Sequence, residues 1–301
     1  MRNWGRNYRI LIGVPGQEGY VLGGDVAGRD MHIKFDLQKA DTQASNSGKL
    51  TIYNLNDEHK AMLDLDGCVV EIRAGYKDTI GGIFIGGVYD TTEDLEDGDR
   101  SIEIDLVDGV FNYDQIGSVS LNGVVPCSMA LEAIAEQMGF ESIVITEKAQ
   151  AVLEEAKYDN GYAYVGKLRA GLQKITDKAG CTFTTQNGVL QVHVAGEPIN
   201  TLAFVLNAES GLIGIPKKIR IGDSGTSSSS TTRKESADAE PKGLPGYQVE
   251  FFINGAIGVN DIVKLESKSV SGYFLVHSMA YRGDNYGDDW FCIAELIEVK
   301  E

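Results

Sequence analysis

A four-strand pattern occurs twice in this sequence and limits the possible fold more than any other feature. Residues 49–55 (KLTIYNL) and 248–254 (QVEFFIN) both alternate their side chains along β-forming residues and then reach an Asn. Three strand-like segments follow each copy in the same order: residues 69–72, 82–89 and 101–106 after the first, and residues 262–265, 272–281 and 291–296 after the second. In both sets the third strand of the four opens with Gly and closes with Tyr. The pattern predicts a duplicated β unit.

The segment between the two copies shows helical patterns in addition to strand-like ones. Residues 116–197 contain helical patterns at 129–138, with Ser128 as the cap, at 147–157 and at 165–180, followed by a hairpin around Asn187-Gly188. This segment is predicted to be an α+β insert between a first β unit (residues 1–115) and a second (residues 198–301). A Ser/Thr-rich and then charged stretch at 222–246 predicts a mobile loop within the second unit.

These patterns together predict a fold class. Strands with hairpin connections and no long crossover helices indicate antiparallel sheets. We therefore expect a mainly β fold in which two similar antiparallel β-barrel-like units flank a small α+β region.

The net charge and the distribution of apolar residues argue against two classes of function, nucleic-acid binding and membrane association. The formal net charge of −17 over 301 residues argues against a nucleic-acid-binding protein, because a phosphate backbone would be repelled. That charge is compatible with solubility, or with a protein past which DNA slides without adhering. No uninterrupted apolar run is long enough to span a bilayer and no secretory signal opens the sequence, so we expect a protein that is made in the cytoplasm and does not associate with a membrane.

Motifs for catalysis or metal binding are not recognisable. One acidic cluster lacks calcium-loop spacing, so a solvated hairpin tip is the favoured interpretation and adventitious cation binding is the alternative. Its members are Glu93, Asp94, Glu96, Asp97 and Asp99. A second acidic tip at 284–289 occupies the matching place in the second unit. The histidines lack metal-ligand spacing, so we expect them to be structural: His32, His59, His193 and His277. The cysteines form no C-x-x-C pair, so we expect buried free thiols: Cys68, Cys127, Cys181 and Cys292. We nominate no catalytic, cofactor-binding or metal-binding residue, and we expect no cofactor.

A tyrosine-rich stretch precedes the last predicted helix of the insert. Tyr158, Tyr162 and Tyr164 fall in what the pattern predicts to be a loop. Such a loop is compatible with a carbohydrate or peptide surface, but packing of the rings on the following helix is the favoured interpretation.

Several segments, taken in order, resemble the baseplate hub (tail hub) proteins of phage tails and related contractile injection systems. The resemblance spans nearly the whole chain, and each motif alone is only a strand with a turn. The segments are RNYRILIG (6–13), SGKLTIYNL (47–55), AGY (74–76) with IFIGGV (83–88), DLVDG (105–109) and SGLIGIP (210–216).

The resemblance implies a homotrimer in which two similar β-barrels per subunit form a pseudo-sixfold ring. Such a ring joins the sixfold tail tube, or a distal tail protein, to the threefold spike, contacts other baseplate components and lines the DNA exit channel of the virion. No extra domain for peptidoglycan degradation is visible, which indicates a structural protein and not an enzyme. Two alternatives stay open: a cell-wall glycan or peptide hydrolase, with acids such as Glu93 or Asp159 as nominal candidates, and a carbohydrate-binding β protein that uses Tyr162.

Overall fold

The computed structural model describes residues 5–24, 30–77, 79–96, 98–108, 115–222 and 243–299. Strands dominate these residues, and most of them belong to one 13-stranded sheet. The prediction of a mainly β fold with two similar antiparallel units around an α+β region is confirmed. No helix in the described ranges is both long and apolar enough to cross a bilayer.

The first β unit holds one helix and seven strands among its described residues. They are β1 (Arg6–Gly13), β2 (Tyr20–Gly23), β3 (Ile33–Ala40), β4 (Ser47–Tyr53), α1 (Asp57–Leu63), β5 (Val69–Tyr76), β6 (Thr79–Glu96) and β7 (Asp99–Asp108). Asn56 caps α1, since its side chain accepts a hydrogen bond from the backbone N–H of His59. Asp97, at the predicted tip of the β6–β7 hairpin, lies outside the described residues.

The α+β region and the second β unit follow in chain order. The first of these contains β8 (Ile116–Leu121), β9 (Val125–Pro126), α2 (Cys127–Gln137), β10 (Ile143–Ile145), α3 (Glu147–Glu155), β11 (Lys157–Tyr158), β12 (Tyr162–Lys167), α4 (Leu168–Ala179), β13 (Thr182–Gln186) and β14 (Val189–His193). The second contains β15 (Ala203–Leu206), β16 (Leu212–Ile221), β17 (Leu244–Phe252), β18 (Ile262–Glu266), β19 (Ser271–Asp284) and β20 (Trp290–Glu298). Most of the predicted mobile loop at 222–246 lies outside the described residues, and its last three residues belong to β17.

The two β units pair their strands in the same order. The path in the first unit is β3-β4-β7-β6-β5-β1, and the path in the second unit is β16-β17-β20-β19-β18-β15. One step differs, because β1 runs antiparallel to β5 whereas β15 runs parallel to β18. β15 was not predicted, since its four residues (AFVL) are all apolar and show no alternation of polar and apolar side chains in the sequence.

A β-bulge at the same place in both units fixes their alignment. In the first unit, pairing passes from Val88 opposite Leu106 to Asp90 opposite Asp105 and skips Tyr89. In the second unit, pairing passes from Val276 opposite Leu296 to Ser278 opposite Glu295 and skips His277. Tyr89 therefore corresponds to His277, and the sequence-based match between the closing Tyr residues of the third strands is wrong. A bulge inserts an unpaired residue without changing composition, so it is visible only in the register.

The two units join along their strand edges. Residues 278–284 of β19 pair antiparallel with residues 34–40 of β3, which makes one continuous sheet of both units. On one face of this sheet, side chains from both units form a single buried apolar cluster, to which Leu37, Leu50, Val249 and Tyr281 belong. Residues 119–192 build a separate cluster around α2, α3 and α4.

The structure corrects two details of the predicted helices. Ser128 is not a cap, because α2 begins at Cys127, two residues before the predicted start at residue 129, with Pro126 in the N-cap position. α4 begins at Leu168 and not at Val165, and the stretch before it is strand β12, which pairs with β8, and not a loop. Val165 and Ile116 are both largely exposed on this two-stranded ribbon. Gly180 ends α4 in the left-handed conformation, which glycine adopts at low cost.

Two glycines from different units bring their backbones into close contact. A Cβ added at Gly81 in β6 would lie 2.8 Å from the Cα of Gly255, in the loop after β17, whereas a Cβ at the neighbouring Gly82 would meet nothing within 4 Å. We expect Gly81→Ala to force the two units apart and to lower the free energy of unfolding by about 1–3 kcal/mol.

Urea denaturation of Gly81→Ala and of the matched control Gly82→Ala measures this difference. The control should stay within about 0.5 kcal/mol of the parent. Equal stability of the two variants would show that the contact between the units is looser than described.

Candidate functional site

The best-defined polar site is a three-way junction, where β3, the end of the α+β region and the second β unit meet. Asp41 follows β3, His193 ends β14, and Asn260 lies in the loop before β18. The Asp41 carboxylate accepts hydrogen bonds from His193 Nε2 at 2.9 Å and from Asn260 Nδ2 at 3.0 Å. His193 and Asn260 are fully buried. Three parts of the chain that are distant in sequence are thus held by one hydrogen-bonded group.

The geometry around His193 favours the doubly protonated ring. Its Nε2 faces the Asp41 carboxylate and its Nδ1 lies 3.1 Å from the carbonyl oxygen of Val194, so both nitrogens point at acceptors. Burial opposes the charge, but Asp41 outweighs it, and the pKa of His193 is raised above its ordinary value. Burial alone would raise the pKa of Asp41. The hydrogen bonds from His193 and from the Asn260 amide outweigh burial, so the pKa of Asp41 is lowered.

A second buried polar cluster holds the turn between β13 and β14 against the first β unit. The carboxylate of Asp108, which is 1 % exposed, accepts hydrogen bonds from the backbone N–H groups of Asn187 and Gly188, both at 2.8 Å, and from Asn46 Nδ2 at 2.9 Å. Asn187 and Gly188 have φ values of 54° and 78°, as the predicted Asn-Gly turn requires. The turn is therefore also a docking element.

Lys39 completes this cluster. Its ammonium group donates to Asn187 Oδ1 at 2.7 Å and, at 3.3 Å, to the carbonyl oxygen of Ile83. Burial lowers the pKa of Lys39 to about 8, and the nearby negative charge of Asp108 opposes this shift. Sequence reasoning missed both polar clusters, since their members are single residues without a shared motif.

The two acidic tips have different surroundings. In the second-unit tip, Asp284 accepts from His32 Nε2 at 3.0 Å, and the guanidinium of Arg6 donates to the carbonyl oxygens of Asp284, Gly287 and Asp288. The ring of His32 stacks between those of Tyr53 and Tyr286, with centroids 4.1 and 4.7 Å away. This tip is therefore anchored to β1 and β3 and is more than a plain turn.

For the part of the first-unit tip that the structure describes, the ion pairs and hydrogen bonds lie within its own unit. Glu93 contacts Lys60 of α1 and lies 3.3 Å from a guanidinium nitrogen of Arg100, and Asn54 Nδ2 donates to Asp99 at 3.2 Å. Asp94 and Leu95 are exposed, Leu95 to 67 %. Within the described residues, no group of three or more His, Cys, Asp or Glu side chains has the arrangement of a metal site.

The remaining residues considered in the sequence have structural surroundings. Tyr162 is buried, Tyr164 lies against Gly171 of α4, and Tyr158 is tilted against Tyr162 at 4.8 Å, so the rings pack as favoured. Glu93 lies in β6 of the first β unit and Asp159 follows β11 in the α+β region, and among the described residues no hydrogen bond or ion pair joins them. The cysteines are free and buried, as expected: Cys68, Cys127, Cys181 and Cys292.

Solved structures of phage tail proteins share this fold. A tail protein from Neisseria meningitidis MC58 matches with a TM-score of 0.61 and 11 % identity over 97 % of each chain. The 43 kDa tail protein of prophage MuSo2 from Shewanella oneidensis matches with a TM-score of 0.59 and 8 % identity over 97 % of this chain and 98 % of that one.

A type VI secretion component matches as well. The E. coli c3393 protein, which is described as similar to the T4 bacteriophage tail proteins gp27 and gp5, gives a TM-score of 0.56 at 7 % identity over 96 % of this chain and 77 % of that one. No protein-family model matches the sequence, and no curated protein matches it. The resemblance to tail proteins that the sequence indicated is thus confirmed in the fold.

We expect Asp108→Asn to lower the free energy of unfolding by about 3 kcal/mol, because the amide replaces a carboxylate that accepts three buried N–H groups. Urea denaturation measures the change. The matched control is Asp105→Asn, an exposed carboxylate on the opposite face of β7, which should cost no more than about 0.5 kcal/mol. A similar loss in both variants would contradict the assigned role of Asp108.

We expect a pH dependence of stability from His193. Because its folded-state pKa is raised, the stabilisation is fully present below the ordinary pKa of about 6.5 and is lost as the pH rises through the folded-state value. The melting temperature of the parent should therefore exceed that of His193→Gln most at pH 5–6 and by less as the pH rises above 7.

Removing the partner carboxylate is the control for this titration. In an Asp41→Asn background the pKa of His193 is no longer raised, so the pH dependence of the His193→Gln difference should largely disappear. If the His193→Gln difference in melting temperature depended on pH just as strongly in the Asp41→Asn background, the pH dependence would have to come from a group other than the His193–Asp41 pair.

Proposed function

We propose that this protein is a structural hub of a phage tail baseplate, a homotrimeric adaptor that joins a sixfold tail tube to a threefold spike. Its location would be the virion tail. Its partners would be two further copies of itself, the tail tube or distal tail protein, the spike protein and other baseplate components. The fold shared with tail proteins and with a type VI component supports this role.

One observation carries the proposal: the chain holds two copies of one sheet, with the same strand path and the same bulge, joined side by side. A sixfold tube end presents six equivalent surfaces, and three identical single-unit chains would meet only three of them. Two similar units in each of three chains supply six near-equivalent positions while keeping threefold symmetry for the spike. Duplication thus resolves a mismatch that a single unit cannot.

The sheet face opposite the apolar core supports a channel-lining role. In a ring of such units we propose that this face lines the lumen. Acidic side chains outnumber basic ones on its described strands: Asp36, Glu71, Asp90, Asp94, Asp99, Glu103, Asp105, Glu250, Glu266, Asp284 and Glu295 against Arg9, Lys34, Lys49, Arg73, Lys217, Lys264 and Arg282. A net negative lining repels the phosphate backbone, so DNA would pass without adhering.

The α+β region would project from the ring as a contact for neighbouring baseplate components. Its own apolar cluster and the buried polar groups that dock it, at Asp108 and at Asp41, would hold it in a fixed orientation. The proposal assigns the chain no catalytic step, and any cell-wall cleavage would belong to another protein of the tail.

Multi-angle light scattering of the purified protein tests the proposal. We expect a particle of about three times the chain mass of 32.6 kDa for the protein alone, or three chain masses plus the mass of the bound spike protein for the complex. A strict monomer that binds neither tube nor spike protein would overturn the proposal.

A further inference from the structure

This inference rests on the trimer proposed above and concerns how the chains meet. Residues 271–275 of β19 pair with β18, and residues 278–284 of the same edge pair with β3 of the first unit. The matching edge of β6 pairs with β5 through residues 79–87. Among the strands that the structure describes, residues 90–96 of that edge have no partner, and β16 pairs only with β17. These two open edges are the counterparts of the two edges that join the units.

The register inside the chain determines how the open edges would match. A row of paired residues crosses the first unit from Asp90 through Asp105 and Lys49 to Asp36. The equivalent row crosses the second unit from Ser278 through Glu295 and Gln248 to Lys217. The alignment of the two rows follows from the shared bulge.

At the junction between the two units, the row of the first unit and the row of the second unit do not meet but are offset along the strands. Asp36 does not pair with Ser278 but with Arg282, four residues further along β19. The same offset applied to the open edges sets Lys217 opposite the residue four positions beyond Asp90, which is Asp94. The adjacent pair is then Glu93 opposite Lys218.

We propose that β6 of one chain pairs antiparallel with β16 of a second copy, with Asp94 opposite Lys217 and Glu93 opposite Lys218. The contact repeats the junction between the two units of one chain, and three such contacts close the ring. The occupant of each open edge is therefore another copy of this chain.

The charges at these positions support the match. Within the chain, Arg282 Nε lies 3.5 Å from the Asp36 carboxylate, and in the contact between chains the equivalent pair is Lys217 with Asp94, with the two signs exchanged. On the core side of the sheet, the buried pair Leu37–Tyr281 corresponds to the exposed pair Lys218–Glu93. The junction within the chain is thus apolar on one side, whereas the junction between chains is ionic on both.

The charge pattern also selects the kind of contact. The open part of β6 is acidic and the open edge of β16 is basic, so two copies of the same edge repel each other and unlike edges attract. This disfavours a symmetric dimer and favours a head-to-tail contact, which generates a ring when the rotation closes. Leu95 and Ile215, 67 % and 74 % exposed, flank the paired segments and would be partly covered.

Cross-linking between different chains tests the register. One chain carries Asp94→Cys and the other carries Lys217→Cys, and the mixture is oxidised; directly opposed residues in an antiparallel pair lie close enough for a disulfide. We expect a covalent dimer on a non-reducing gel. The native cysteines are all buried, so they do not contribute. The matched control pairs Asp90→Cys with Lys217→Cys, which the register separates by about 13 Å, and it should give no dimer.

Charge reversal tests the selection. Asp94→Lys alone and Lys217→Glu alone should each raise the protein concentration at the midpoint of trimer assembly by roughly tenfold, because each places like charges opposite each other. The combined variant should return to within about threefold of the parent. Glu132→Lys/Glu136→Lys, on an exposed face of α2, adds more positive charge elsewhere and should leave assembly unchanged.

The outcomes separate this inference from the proposed function. A trimer that resists both single reversals and forms no Asp94–Lys217 cross-link would overturn the edge pairing while leaving the hub intact. A parent protein that stays monomeric, alone and with the spike and tube proteins, would overturn the hub itself. Cross-linking in the control pair but not in the test pair would show a different register and would equally refute the inference.

Discussion

The pairing of β3 with β19 is the contact on which the rest of this structure depends. It merges two copies of one sheet into a single surface, so that both copies share one apolar cluster and one continuous polar face. Burial of Leu37 and Tyr281 at this seam removes apolar area from water on one side, and the ion pair between Arg282 and Asp36 lies on the other. A sheet extended in this way has a defined curvature and register, which a flexible linker between two separate domains would not impose.

The α+β region depends on a different kind of contact. Its apolar cluster is separate from that of the sheet, so burial of apolar surface does not by itself fix its orientation. Buried hydrogen bonds do so instead, through the carboxylates of Asp108 and Asp41. Because an unsatisfied buried charge costs several kcal/mol, such groups permit few alternative arrangements. Geometry of this precision suits the role proposed above, in which this region contacts neighbouring baseplate components.

Much of the fold could be predicted from local patterns. Alternation of burial in β4, the Asn56 cap and the Asn187-Gly188 turn are each determined by residues close in sequence. The duplication was also visible, because both copies keep the same order of strands. The division at residues 115 and 197 stays a prediction, as does the absence of catalytic residues.

The parts that could not be predicted depend on partners distant in sequence. The bulges at Tyr89 and His277 exist only as an offset between paired strands, so the third strands were misaligned by their closing Tyr residues. Val165 was assigned to a helix because it continues the helical pattern that follows it. Its actual partner in a strand pair, Ser118, is distant in sequence and could not be recognised from that pattern. The His193–Asp41 contact joins residues 152 positions apart, and a single His without a motif carries no signal of such a partner.

Electron microscopy of the assembled protein, averaged without imposed symmetry, tests the central claim most directly. The account predicts a ring of six similar lobes that alternate between two kinds, so that the averages show strong threefold and near-sixfold symmetry. Rings with another number of lobes, or isolated particles with two lobes at protein concentrations where the tail assembles, would contradict it.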